Sequence, residues 1–255
     1  MAGPAFGTDG TLYVAVGHGP ATGTNTTTAT DGQGAEMSYS NAVVALDRKT
    51  LHPKDWLTIE GANFNTSPTV IHHKDKDLIA VGTSEGKLYL LDATSLGGSD
   101  HKSPMFVSQG TGNTGAATAL ATWDDGTTRW VLAPTGNTIA AFKVVEQGGK
   151  FSLEAGWQSR DLASPLAPIV VNGMVMAASS GEYRGSEKGL TAAARAEKSK
   201  PAVLYVLDGT TGKDMWNSGT TITSFATAGM SAGGGQVYLV TYDNHLYAFG
   251  IPMEH

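Results

Sequence analysis

Cysteine is missing from the 255-residue chain. Its absence excludes disulfides, thiolate metal sites, covalent haem attachment and lipidated cysteine, and leaves the redox compartment without a thiol signature. Charge is scarce as well: Asp, Glu, Lys and Arg make up 16% of the residues, against roughly 25% in an average globular chain. A net charge of -6 and the lack of a basic stripe argue against nucleic acid and disfavour an anionic membrane surface as partners. No apolar run approaches the roughly 20 residues of a membrane span. The opening "MAGPAFGTDG" has no basic n-region followed by an apolar h-region, so it does not read as a secretory signal and the chain is expected to be soluble. A G-x-S-x-G elbow, a P-loop, an H-E-x-x-H pair and a dinucleotide fingerprint are also missing, which removes the commonest designs for hydrolysis and nucleotide chemistry.

What is present is glycine, 33 residues of it, with much Thr, Ser and Ala, a composition suited to short strands and tight turns. The strands repeat. "TLYVAVGHG" (11–19), "DLIAVGTSEGKLYLLDA" (77–93), "RWVLAPTGNTIAAFKV" (129–144), "MVMAASSG" (174–181) with "AVLYVLDG" (202–209), and "QVYLVTYDNHLYAFG" (236–250) share one plan. Each is an apolar strand, a short polar or Gly turn, and a second strand of the Leu-Tyr-x-Leu-Asp type. Period-two alternation and turns such as "SEGK", "PTGN" and "YDNH" make these antiparallel hairpins.

A further strand precedes each hairpin: 3–6, 66–71, 115–121, 164–171 and 225–232. With the third strand of each unit ending at Asp47, Asp92, Lys143, Asp208 and Gly250, the spacing lies near the roughly 40–50 residues of a four-stranded propeller blade. One longer interval is explained by "EYRGSEKGLTAAARAEKSK" (182–200), an inserted loop or short helix, and a second insertion spans about 20–38. The expected fold is all-β: a single domain over 1–255 built as a β-propeller of about five four-stranded antiparallel blades. Both a complete ring and a partial or truncated propeller fit that pattern.

"VLDGTTGKDMW" (206–216) resembles, position for position apart from Val206, the tryptophan-docking repeat Ala-x-Asp-x-x-Thr-Gly-Lys-x-x-Trp of PQQ-like (quinoprotein-type) β-propellers. "LDRKTLHPKDW" (46–56) is a looser copy, and the third unit delays its tryptophan to Trp157. The resemblance implies that Trp216 and Trp56 pack between blades and that Asp208, Thr211 and Gly212 fix the turn that delivers the indole. It further implies a bacterial-type protein whose parent is periplasmic or secreted. Full members commonly carry more blades, so the chain also reads as a fragment of a larger propeller that self-associates if incomplete. In quinoprotein dehydrogenases PQQ and calcium occupy the axial mouth, but no Glu/Asn/Asp ligand set transfers here by motif.

Three functions follow as expectations: a ligand-binding or protein-interaction scaffold; a PQQ- and calcium-dependent alcohol or sugar dehydrogenase, or a fragment of one; and a hydrolase or lyase with a loop-built site. Loops entering the first strands would line the axial mouth and offer Asn63, Asn65, Asn113, Thr114 and Ser164 to a small polar ligand, with Arg160 and Asp161 as its charged members or, equally, as a rim ion pair. Tyr183 and Arg184 of the second insertion extend the same face. No general acid–base pair accompanies them. His18, Asp31 and Glu36 form a candidate metal set in the first insertion, with a mobile Thr-rich loop as the plainer reading. His72 and His73 sit beside Asp75 and Asp77, but adjacent strand residues point to opposite faces, so a solvated turn is preferred to a metal cluster. Asp124, Asp125 and His245 likewise read as turn residues.

Overall fold

The computed structural model describes residues 3–19, 39–109 and 119–250, and within them the chain folds into five antiparallel sheets, four of four strands and one of three. Each is a simple meander, and each is one propeller blade. Blade 1 comprises β1 (Ala5–Phe6), β2 (Leu12–Val16), β3 (Ala42–Leu46) and β4 (Pro53–Thr58); blade 2 comprises β5 (Thr69–His73), β6 (Lys76–Gly82), β7 (Leu88–Asp92) and β8 (Phe106–Val107). Blade 3 holds β9 (Ala121–Asp124), β10 (Arg129–Thr135), β11 (Thr138–Gln147) and β12 (Lys150–Gln158). In blade 4 the strands are β13 (Ile169–Val171), β14 (Met174–Ser179), β15 (Val203–Asp208) and β16 (Asp214–Asn217). Blade 5 has β17 (Ser231–Gly233), β18 (Gln236–Val240) and β19 (Leu246–Gly250).

The chain divides into two compact units. One is Met1–Leu120 with Val144–Glu154, and so carries blades 1 and 2 with the tip of the β11–β12 hairpin; the other is Ala121–Lys143 with Ala155–His255. In the first unit, alternate residues of blade 1 (Tyr13, Val43, Ala45, Leu57) meet alternate residues of blade 2 (Ile79, Val81, Tyr89, Leu91) in a dry core. In the second, the strand period separates two cores. Val175, Ala177 and Leu207 of blade 4 pack against Trp130, Leu132 and Ile139 of blade 3. Met176, Ala178 and Leu204, on the opposite face, pack against Val237 and Leu239 of blade 5. A blade apolar on both faces needs a neighbour on each side, and each fully buried aliphatic side chain contributes about 1.5–3 kcal/mol.

Turn chemistry sets the register. At the β13–β14 turn, Asn172 and Gly173 both have positive φ (50° and 75°), as a type I′ hairpin requires, and Val171 pairs with Met174 across it. The expected strand over 225–232 shortens to β17. Ala226 donates its N–H to the Ser180 carbonyl (2.9 Å) and the Phe225 carbonyl accepts from the Tyr242 N–H (2.8 Å). Those backbone groups tie blade 5 to blade 4 and are lost to a ladder. β11 runs past Lys143 to Gln147, giving a longer hairpin than the repeat predicts. The 182–200 segment contains α1 (Ala192–Lys198), capped by the Thr191 hydroxyl, which accepts the Ala194 N–H at 3.1 Å. The 20–38 insertion lies outside the described residues.

Candidate binding cleft

The Asp208–Lys213 turn shows how this chain fastens one blade to the next. Asp208 Oδ1 accepts from the N–H and hydroxyl of Thr210 (3.0 and 2.7 Å) and of Thr211 (2.8 and 2.8 Å). Those bonds, the Thr210 hydroxyl first, hold its carboxyl below the usual range. The chain then passes through Gly212 at φ 69°, whose N–H donates to the Asp208 carbonyl at 2.8 Å. The product is a socket for the tryptophan of the preceding blade. Trp157, at the end of β12, donates its indole N–H to the Gly209 carbonyl at 2.9 Å. Its ring lies so close over Gly212 that a Cβ there would come within 2.3 Å of the indole.

Blade 1 repeats the turn. Asp47 Oδ1 accepts from the N–H groups of Lys49 and Thr50 and from the Thr50 hydroxyl, and the Leu51 N–H donates to the Asp47 carbonyl at 2.8 Å. Leu51 occupies the Gly212 position with φ 58°. β4 then delivers Trp56, opposite Val44, just as β16 delivers Trp216 opposite Val206. Trp56 is covered by the loop that follows β7. The His101 ring stacks on it at 3.8 Å between centroids and 15° between planes, while Leu96 donates its N–H to Asp55 Oδ2 at 2.7 Å.

Trp216 differs from both. It touches blade 5 through an edge-on contact with Phe249 (5.8 Å between centroids), but 46% of it stays exposed. The corresponding indole hydrogen bond between blades 3 and 4 is made by Trp157. Among the described residues blade 5 has three strands, the last ending at Gly250. An open cleft of about 960 Å³ lies between the described parts of blades 4 and 5. Its blade 4 wall is a cross-strand row, Met176–Val206–Trp216, joined by Met174 and Met215; its other wall includes Val237 and Phe249. β19 runs along it as a sheet edge. None of the lining residues is charged. Such a site is built for apolar contact and strand pairing, not for proton transfer. Sequence reasoning missed it: three methionines at apolar positions were the available signal, and methionine adapts well to irregular partners.

Most of the described residues expected at the axial mouth are engaged within their own unit. In the first unit, Asn63 Oδ1 accepts the His18 N–H at 3.1 Å, and Asn65 lies in the same strand-entry loop and is also engaged. In the second unit, Arg160 pairs with Asp214 at 2.7 Å and lies over the Tyr205 ring at 4.7 Å, while Asp161 is exposed beside it. The Ser164 hydroxyl donates to the Glu182 carbonyl at 2.9 Å, and Arg184 pairs with Glu182 at 2.9 Å. Tyr183 donates its hydroxyl to Glu187 and accepts the Arg195 guanidinium on its carbonyl. These groups rivet the 182–200 segment to its own blade. Asn113, Thr114, Asp31 and Glu36 lie outside the described residues.

His72 and His73 diverge as strand neighbours do: His72 Nδ1 lies 3.0 Å from Asp77 Oδ1, and His73 meets the Phe151 ring edge-on. Among the described residues no three His, Asp or Glu side chains cluster as metal ligands.

The sequence matches no family model and no curated protein. Solved structures do resemble it. BamB from Moraxella catarrhalis aligns over 100% of this chain and 59% of its own, with a TM-score of 0.61 at 15% identity. BBS1N, crystallised in complex with ARL6DN, aligns over 98% and 64% with a TM-score of 0.57 at 11% identity. The quinohemoprotein alcohol dehydrogenase from Comamonas testosteroni aligns over 94% and 43% with a TM-score of 0.52 at 12% identity. The chain thus spans less than two thirds of each of these proteins, and it shares their fold, a β-propeller.

Proposed function

We propose that the chain is a protein-interaction scaffold that holds an extended apolar segment of a partner in the cleft between blades 4 and 5. One observation carries the reading: Trp216 occupies the fastening position of its blade yet stands half exposed beside the edge of β19. A strand edge unpaired among the described residues and flanked by an apolar wall is suited to an added strand, in which main-chain bonds supply affinity and alternate side chains supply selectivity. The uncharged lining supports a protein segment over a polar small molecule. BBS1N, which aligns with the chain, was crystallised in complex with ARL6DN, and that fits the same use of the fold. No described helix is long and apolar enough to cross a membrane.

Selection of a random peptide library on the wild-type chain, counter-selected on Trp216→Ala, tests the reading. Alternating apolar peptides that bind the wild type and lose at least about tenfold affinity, or about 1.4 kcal/mol, on the variant are expected. Binders indifferent to Trp216→Ala would place the function elsewhere.

A further inference from the structure

We infer that two copies of the chain associate through the outer edge of β12, paired antiparallel about a two-fold axis at Ser152, so that Lys150 of each copy meets Glu154 of the other.

The β11–β12 hairpin outgrows the repeat. β11 has 10 residues and β12 has 9, while the corresponding β3 and β4 have 5 and 6, and β15 and β16 have 6 and 4. Gly148 and Gly149, both at positive φ (59° and 78°), reverse the chain in two residues, and β12 starts directly at Lys150. It is the fourth strand of its sheet, so among the described residues its outer side is the edge of a blade with all four strands in place. The other outer strands are blunted. β4 opens on Pro53 and slips in register against β3, β16 slips against β15, and β8 is two residues long. β12 contains no proline, and its run Lys-Phe-Ser-Leu-Glu (150–154) alternates with period two: Phe151 and Leu153 are buried, Lys150 and Glu154 exposed.

Charge selects the partner and the register. Charged residues on an edge resist strand addition unless each meets its opposite. With the axis at Ser152, Lys150 lies opposite Glu154 at both ends of the paired run, and Phe151 lies opposite Leu153 on the buried face. An axis at Phe151 or Leu153 sets each charge against Ser152 or a glycine, and an axis at Glu154 sets that carboxylate against itself. An axis between two residues turns the buried face of one copy toward the exposed face of the other. Parallel pairing in register opposes like charges. Among the described residues neither Lys150 nor Glu154 takes part in an ion pair, whereas Glu146 of β11 pairs with Lys74 at 2.6 Å. Five paired residues bury far less than the roughly 1,200 Å² of a standard interface, so the association is weak. The contact uses no residue of the cleft between blades 4 and 5, and blade 3 supplies it whether or not the ring is complete.

Sedimentation equilibrium of the intact chain from about 10 μM to about 1 mM tests the contact, with Lys150→Glu and Glu154→Lys made singly and together. Both side chains are exposed, so the variants are expected to fold. The wild type is expected to show a monomer–dimer equilibrium. Each single variant opposes like charges at both contacts and is expected to dimerise at least about tenfold more weakly. An equal mixture of the two single variants restores opposite charges at both contacts, as does the double variant, and both are expected to associate like the wild type. A wild type that stays monomeric, single variants that dimerise as it does, or a mixture no tighter than its components would each overturn the inference. Neither variant touches the cleft, so peptide binding there stands or falls separately.

Discussion

The indole of Trp157 donates to the Gly209 carbonyl at 2.9 Å across 52 residues of chain, closing the outer rim between blades 3 and 4. Trp216, one blade on, is 46% exposed. Equal residues at equal repeat positions should therefore differ in what they contribute to stability. Trp157→Ala is expected to cost about 2–3 kcal/mol, near the low end for a large aromatic because the ring is half-buried, whereas Trp216→Ala should cost under about 1 kcal/mol. Urea unfolding followed by amide exchange in β15 checks the pair. Similar losses for both variants would mean that Trp216 is fastened after all.

Leu51 holds φ 58° at the position where the equivalent turn uses glycine, and its side chain is 58% exposed, so it loses little contact if removed. A left-handed conformation costs a non-glycine residue roughly 1–2 kcal/mol. Leu51→Gly is expected to stabilise the first unit by up to about 1 kcal/mol, the remainder being offset by the greater freedom of glycine in the unfolded chain. A raised thermal midpoint is the expected reading, and a lowered one would show that Leu51 has a packing role.

Blades 1 and 2 are joined at their turns by Asp77, whose carboxylate accepts from the N–H and hydroxyl of Thr8 (2.7 and 2.8 Å) and faces His72. Burial pushes its pKa up, but the Thr8 bonds and His72 outweigh burial and leave it below the usual value. A carboxyl whose folded pKa is depressed stabilises the protein fully above its unfolded value and progressively less as pH falls through the folded one. Wild-type stability should thus decline below about pH 4 more steeply than that of Asp77→Asn, which should be the weaker protein at neutral pH. Parallel stability curves against pH for the two proteins would remove Asp77 from that role.

Glu187 is held down to about 2, first by the Tyr183 hydroxyl and then by Lys198. A ¹³C titration of its carboxyl should show that midpoint, and Tyr183→Phe should move it back toward the usual carboxylate range. An unchanged midpoint in the variant would assign the shift to Lys198 alone.

Much of the architecture was legible because blades depend on local signals. Val175 and Ala177 alternate with Met174, Met176 and Ala178, and Asn172–Gly173 marks its hairpin without reference to anything distant. The length of β17 was not legible, because Phe225 and Ala226 spend their backbone groups on Tyr242 and Ser180. The partners of the expected axial-mouth residues were hidden for a related reason. Arg160, Ser164, Tyr183 and Arg184 have the chemistry of a site, but Asp214, Glu182 and Glu187 engage them first, and sequence does not reveal such partners. The cleft was hidden in the opposite way. Met176, Val206 and Phe249 read as ordinary core positions, and nothing in their pattern shows that they also line a cleft.

The central claim is that the open edge beside Trp216 receives a strand from a partner. Amide exchange of β19, residues 246–250, measured with and without a library-selected peptide, addresses it most directly. The account predicts slower exchange at alternate β19 amides on binding, lost in Trp216→Ala. Unchanged exchange in β19 with a bound peptide would contradict it.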